Sequence, residues 1–362
     1  MFRISQFMHE LARAEATGSY PPPARRRSEG DGQNSNGAPA GAPGPVVIWN
    51  LIRRCNLTCK HCYAFSADHD YPGELSLDEV FGVMDDLKAF GVPALILSGG
   101  EPLLRPDIVD VVRGIAAMTT GEGEPVEVSM TTNALRLPRL AGPLRDAGLT
   151  RVNISLDTLR PDRFLQMARR DRFADTLTGI QAADDAGFHP LKLNTVLLRG
   201  VNDDEAVDLL RWAVERGYEL RFIEQMPLDG GHVWQRSEMI TGAEILAMLG
   251  DEFELTEVPG RGAAPAERFL VDGGPATVGV IASVTMPFCG ACDRLRLTSD
   301  GQLRSCLFAR GETDLRTPLR DGSSEGEITA LIRSCLAGKL PGHGIDEPGF
   351  LQPPRPMSAI GG

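Results

Sequence analysis

Cys55-Asn56-Leu57-Thr58-Cys59-Lys60-His61-Cys62 sets three cysteines at CxxxCxxC spacing, shortly after the apolar run Val46-Val47-Ile48-Trp49. Cysteine thiolates are the usual ligands of iron–sulfur clusters. Three ligands on a four-iron cluster leave one iron open, and an open iron can chelate a small molecule. Two other chemistries use cysteines in this way. A structural zinc site takes four ligands, commonly as paired CxxC. A disulfide framework suits small secreted chains, and a chain of 362 residues with no secretory leader fits that poorly.

Outward from this stretch, the chain is long enough for one large barrel or two domains with a sizeable core. Its formal net charge of −12 argues against a nucleic-acid-binding surface. No apolar run is long enough to span a bilayer. Residues Met1 to Glu15 lack the basic start and apolar core of a signal peptide. The cytoplasm is therefore the expected compartment, where seven cysteines stay reduced or bind metal.

Residues 1–45 read as a short amphipathic helix followed by a disordered linker rich in Pro, Gly, Arg and Ser, with Arg25-Arg26-Arg27 a solvated basic run. From Val46, short apolar runs alternate with helix-length amphipathic segments. The runs are Val46–Leu51, Ala94–Leu97, Val126–Met130, Arg151–Leu156, Leu191–Leu197 and Leu220–Glu224. Strands alternating with helices predict a parallel sheet with right-handed crossovers. The expected α/β fold is a partial (β/α)6 TIM-like barrel over residues 46–227, with its chemistry at the C-terminal strand ends. After Pro227 the texture changes to short β-like runs, so 228–362 is expected to form an antiparallel β extension carrying a second cysteine group.

Ser98-Gly99-Gly100-Glu101-Pro102 ends the second strand. Two glycines let backbone approach a ligand closely, and Glu101 adds a carboxylate. Thr131-Thr132-Asn133 and Ser155-Leu156-Asp157 end the third and fourth strands with groups suited to hydrogen bonding, or to plain turns and caps. The second cysteine group is Cys289-Gly290-Ala291-Cys292 with Cys306 beyond it. It is either a second open-iron cluster or a zinc site completed by His343. Arg294 and Arg296 alternate, so on a strand both face one way, and two guanidinium groups suit an anion. Cys335, in a helical stretch, reads as a buried apolar-like residue.

The spacing of Cys55, Cys59 and Cys62 together with Gly99-Gly100-Glu101-Pro102 resembles the radical S-adenosylmethionine (SAM) superfamily. Residues 126–362 closely resemble the GTP 3′,8-cyclase family of molybdenum cofactor biosynthesis. The matching stretches are Thr131-Thr132-Asn133, Val152 to Thr158, Lys192-Leu193-Asn194, Arg199 to Glu205, Arg221 to Pro227, the second cysteine group with Arg294-Leu295-Arg296, and Gly361-Gly362. The resemblance implies two 4Fe–4S clusters, one on Cys55, Cys59 and Cys62 and one on Cys289, Cys292 and Cys306. It implies SAM contacts from His61, Gly99, Gly100, Glu101, Ser155 and Met226. Contacts to GTP would come from Thr131, Lys192, Arg294, Leu295 and Arg296, with Gly361-Gly362 reaching into the site.

The same resemblance implies a flavodoxin- or ferredoxin-type reductant, cyclic pyranopterin monophosphate synthase downstream, and leaves a homodimer open. Residues Val46 through Leu104 look more like the radical SAM enzymes of haem d1 biosynthesis. Ile48, Ala94 and Ile96 stand where the cyclase family usually carries basic residues. A tetrapyrrole or peptide substrate is the alternative these residues raise, and a non-catalytic metal-binding protein is the third reading.

Overall fold

The computed structural model describes residues 45–60, 62, 68–120, 123–229, 231 and 234–361. The expected helix and linker at the N-terminus fall outside these residues, apart from Pro45. The strands β1 (Val46–Asn50), β2 (Ala94–Ser98), β3 (Glu127–Thr132), β4 (Arg151–Ser155), β5 (Lys192–Val196) and β6 (Glu219–Ile223) pair in chain order, all parallel. Between them run α1 (Leu77–Phe90), α2 (Ile108–Ala116), α3 (Leu137–Asp146), α4 (Pro161–Ala168), α5 (Phe173–Asp185) and α6 (Ala206–Glu215). Helix α1 shows how local sequence sets the boundaries. Ser76 and Glu79 form a reciprocal capping box at its start, and Gly91, at φ 84°, ends it in the left-handed region.

The later strands depart from the expected antiparallel extension. After α7 (Gly242–Gly250) come β7 (Leu255–Val258), β8 (Glu267–Val271), β9 (Thr277–Ile281), β10 (Arg294–Leu297), β11 (Gln302–Arg304) and β12 (Thr313–Asp314). They are followed by α8 (Arg316–Asp321), α9 (Glu325–Ala337) and α10 (Met357–Ile360). Strand β9 joins β6 in parallel, and β10 joins β1 in parallel, so the parallel sheet grows at both edges. Only beyond them does pairing turn antiparallel, through β8 and β7 on one side and β11 and β12 on the other. The strand order ends at β12 and β7, so the described strands form an open sheet, continuous across residue 227.

Strand alternation sorts the side chains onto two faces. One carries Val47, Trp49, Leu95, Leu97, Val128, Met130, Val152, Ile154, Leu193, Leu220, Phe222, Leu295 and Leu297, all in the main core with α1 to α3 and α5 to α7. Parallel strands covered on both faces read as continuous apolar runs. These do not: the opposite face of β3 to β6 carries Glu127, Ser129, Thr131, Arg151, Asn153, Ser155, Lys192, Asn194, Glu219 and Arg221. The helices cover the apolar side, and the polar side is left for a ligand.

Candidate active site

The first cysteine loop leaves the end of β1 and is held against the loop that ends β2. The Gly100 N–H donates to the Ile52 carbonyl at 2.7 Å, and the Glu101 N–H to Arg54 at 2.9 Å. A Cβ on Gly99 would lie 2.5 Å from the Ile52 oxygen, and one on Gly100 2.3 Å from that of Arg53. The two glycines are therefore required by the backbone that leads into Cys55. Their primary task is to let two loops touch.

Glu101 is 1% exposed, and its carboxylate accepts from the Leu103 N–H at 3.0 Å, the Thr132 hydroxyl at 2.7 Å and the Asn133 N–H at 2.8 Å. Burial pushes this carboxyl up, and those donors pull it back. Its oxygens are committed to tying β2 to β3. Asn133, so held, reaches the Asn56 side chain at 2.7 Å and the Cys55 sulfur at 3.9 Å.

Burial pushes the Cys55 thiol up to about 12 and Cys62 to about 11, and raises Cys59 well above its ordinary value. Charge on Cys62 raises both partners, so the three sulfurs feel one another. Near neutrality all three are therefore held as thiols, and a metal that binds them must displace their protons. Among the described residues no three His, Cys, Asp or Glu side chains converge as ligands of a single ion. Cys55, Cys59 and Cys62 supply three thiols, the set that a four-iron cluster with one open iron takes, whereas structural zinc takes four ligands. Zinc completed by His343 is further disfavoured because that ring nitrogen bonds the Ser283 carbonyl at 3.0 Å.

The second cysteine group is positioned from β6. Glu224, fully buried, accepts from the N–H groups of Gly242 at 2.6 Å, Val284 at 2.8 Å and Thr285 at 2.9 Å. That carboxylate pins the segment running from β9 to Cys289. Burial raises Cys289 to about 11, whereas at Cys292 it is outweighed by Lys339 and Arg294, which hold that thiol below its ordinary value. The Phe308 N–H points at the Cys306 sulfur at 3.4 Å.

Register sets the two groups apart. Arg294 sits opposite Val46, so Cys292 lies where β1 begins. Arg304 sits opposite Arg296, so Cys306 lies at that same end. Cys55 follows the other end of β1. Five strand residues at about 3.3 Å each separate the ends by about 16 Å.

The polar face fills this interval. Arg294 and Arg296 lie on it, as their alternation predicts, and Ile48 is the register partner of Arg296. The Arg294 guanidinium donates to the Ala263 carbonyl at 2.8 Å, and Arg296 to the carbonyl of Gly361. Burial brings Arg296 and Arg221 down to about 10, still cationic near neutrality. Burial also lowers Lys192 to about 8, opposed by Glu219 at 3.6 Å. Arg221 donates to Asn194 at 3.0 Å and Asn153 at 2.7 Å.

The other expected contacts fall on both faces of the sheet and in the loop after β6. Leu295 is fully buried on the apolar face beside Val47, so its side chain points away from the polar face, as its position between Arg294 and Arg296 requires. Met226 packs on the apolar cluster of Leu228, Phe308 and Ile360, which Cys306 also joins. Thr131 and Ser155 lie on the polar face at the ends of their strands. His61 and Gly362 are outside the described residues. Cys335 is buried in α9, as expected. Sequence reasoning missed Arg221, Asn153, Asn194 and Glu219. The signal available was the polar–apolar alternation that runs through β4 and opens β5 and β6.

The fold and these sites define a protein of the radical SAM class: residues 49–213 match the Radical SAM superfamily, and residues 218–345 match Molybdenum Cofactor Synthesis C. A Streptomyces coelicolor protein named GTP 3′,8-cyclase is 53% identical, covering 86% of this chain and 92% of that protein. A GTP 3′,8-cyclase of Mycolicibacterium smegmatis is 46% identical, covering 94% of this chain and 98% of that protein. The chain belongs to the GTP 3′,8-cyclase family.

Streptococcus suis SuiB bound to SAM shares the fold, with TM-score 0.57 and 12% identity, covering 90% of this chain and 71% of that chain. Membership of the radical SAM superfamily makes a 4Fe–4S cluster and SAM the cofactors. The relatives' coverage extends well ahead of residue 126, so the likeness to haem d1 enzymes in the first third does not separate the chain from the cyclases. No helix among the described residues is long and apolar enough to cross a membrane.

Proposed function

We propose that this chain binds GTP on the polar face between its two cysteine groups. There it converts GTP to (8S)-3′,8-cyclo-7,8-dihydroguanosine 5′-triphosphate for molybdenum cofactor biosynthesis. The observation that carries this reading is the placement of the groups at opposite ends of one strand pair, with a cationic, hydrogen-bonding face between them. Cys55, Cys59 and Cys62 hold the SAM cluster, and Cys289, Cys292 and Cys306 hold a second one. SAM bound there and reductively cleaved would supply a radical able to take hydrogen from C3′ of the ribose; bonding of C3′ to purine C8 would then be completed by one electron and one proton, the electron coming from the reductant.

Everything else falls to the chain's own residues. Arg294, Arg296 and Lys192 hold the triphosphate, and guanidinium forks suit phosphate oxygens. Arg221, fixed by Asn153 and Asn194, adds a fourth cation at a defined point. Thr131 and Ser155 offer hydroxyls at the strand ends, and the Gly99-Gly100 loop orients SAM beside Cys55. Rigid placement of two reactants supplies much of the rate in such a step. Ile360, fully buried against Leu228 and Phe308, closes the site with apolar side chains and keeps water off it.

The enzyme works in the cytoplasm, receives electrons from a flavodoxin- or ferredoxin-type protein, and passes its product to cyclic pyranopterin monophosphate synthase. Residues 46–227 serve SAM, and residues 228–362 serve the second cluster. GTP deuterated at C3′, incubated anaerobically with SAM and dithionite, should transfer deuterium into 5′-deoxyadenosine. Cleavage of SAM with no deuterium transfer would reject GTP as the substrate.

A further inference from the structure

Lys339 lies just beyond α9, outside the motifs that mark the site. Its ammonium donates to the Arg294 carbonyl at 2.9 Å and to the Ser305 carbonyl at 2.7 Å. Arg294 is two residues past Cys292, and Ser305 immediately precedes Cys306. One side chain thus spans the two arms that carry the second cysteine group. The β10–β11 ladder pairs Arg296 with Arg304 and Leu297 with Leu303, and its register stops short of either cysteine. Beyond that point, Lys339 is the link between the arms that the hydrogen bonds reveal.

Its acceptors are neutral carbonyls, so the two hydrogen bonds bring a positive charge to the arms without cancelling it. Net charge and hydrogen bonding around a cluster set its reduction potential. A cation that fixes the arms next to Cys306 and two residues from Cys292 acts on assembly and on potential together.

We propose that Lys339 is the positioning residue of the second iron–sulfur site: it clamps the Cys292 and Cys306 arms at cluster-binding spacing and offsets the charge of the thiolates. This rests on the two-cluster reading above, and the test separates the two. Wild type, K339R and K339M are reconstituted anaerobically, iron per chain is counted, and each cluster's midpoint potential is measured by titration followed by electron paramagnetic resonance.

Wild type should hold about eight irons. K339M should fall to about four, keeping the signal that responds to SAM, or retain a second cluster at a lower midpoint potential. K339R should restore iron content, because it keeps charge and donors. K339M with full iron and an unchanged second-cluster potential overturns the proposal. So does K339M losing both clusters while Cys289→Ala keeps the first, since the lysine would then serve the whole fold. Wild type with only about four irons overturns the two-cluster reading instead.

Discussion

Lys192 is the residue whose state the surroundings alter most usefully. Burial puts its pKa at about 8, so the folded chain binds fewer protons there than the unfolded chain between about 8 and 10.5. Stability from this group therefore rises with pH across that window, while the ammonium that we propose binds phosphate is lost. GTP affinity should fall as pH rises through about 8, and Lys192→Met should remove that limb. Calorimetric titration across pH checks it, and an unchanged pH profile in the variant would remove Lys192 from the binding site. Arg294 faces the same region with its guanidinium on the Ala263 carbonyl. A charge-assisted contact contributes roughly 1.5–3 kcal/mol, so Arg294→Ala should weaken GTP binding about tenfold or more with clusters intact. Arg294 was legible from alternation alone, whereas Arg221 was hidden because its partners, Asn153 and Asn194, come from two other strands.

At the scale of elements, the loops after β1 and β2 form one unit. Glu101, itself buried, satisfies three donors, those of Leu103, Thr132 and Asn133. Each buried donor left unsatisfied costs about 1–3 kcal/mol, so Glu101→Ala should destabilise the apoprotein by about 3 kcal/mol or more in urea unfolding. A loss below about 1 kcal/mol would mean the loops are held by something else. Gly100→Ala brings a Cβ to 2.3 Å and 2.4 Å from the Arg53 and Arg54 oxygens. That variant should lose first-cluster iron while keeping the second cluster, as iron analysis and paramagnetic resonance can show. The sequence reading assigned Gly99, Gly100 and Glu101 to SAM, and the structure adds a neighbour it did not name, the backbone of Ile52 to Arg54. A Gly-Gly turn shows that something approaches closely, and only packing shows that it is the cysteine loop.

Across the whole molecule, β1 to β6 were legible because each short apolar run is followed by an amphipathic helix. The edges were not. Strands β9 and β10 join from far along the chain, and nothing local to Thr277–Ile281 or Arg294–Leu297 states that their partners are parallel. That long-range pairing places Cys292 and Cys306 at the opposite end of β1 from Cys55, so the geometry of the active site was the part least visible in sequence. Two independent sites follow from it. Cys55→Ala should remove about half of about eight irons and abolish SAM cleavage, while Cys289→Ala should remove the other half and leave cleavage in place. If either variant loses both clusters, the sites are not independent.

The central claim is that the face between these sites is shaped for GTP despite Ile48, Ala94 and Ile96 on β1 and β2. The most direct measurement incubates iron-replete wild-type protein with SAM, reductant and either GTP or a tetrapyrrole, with products resolved by mass spectrometry. The account predicts 5′-deoxyadenosine and the 3′,8-cyclised nucleotide in equal amounts with GTP, and no tetrapyrrole product. Protein that cleaves SAM yet neither binds nor cyclises GTP would contradict it.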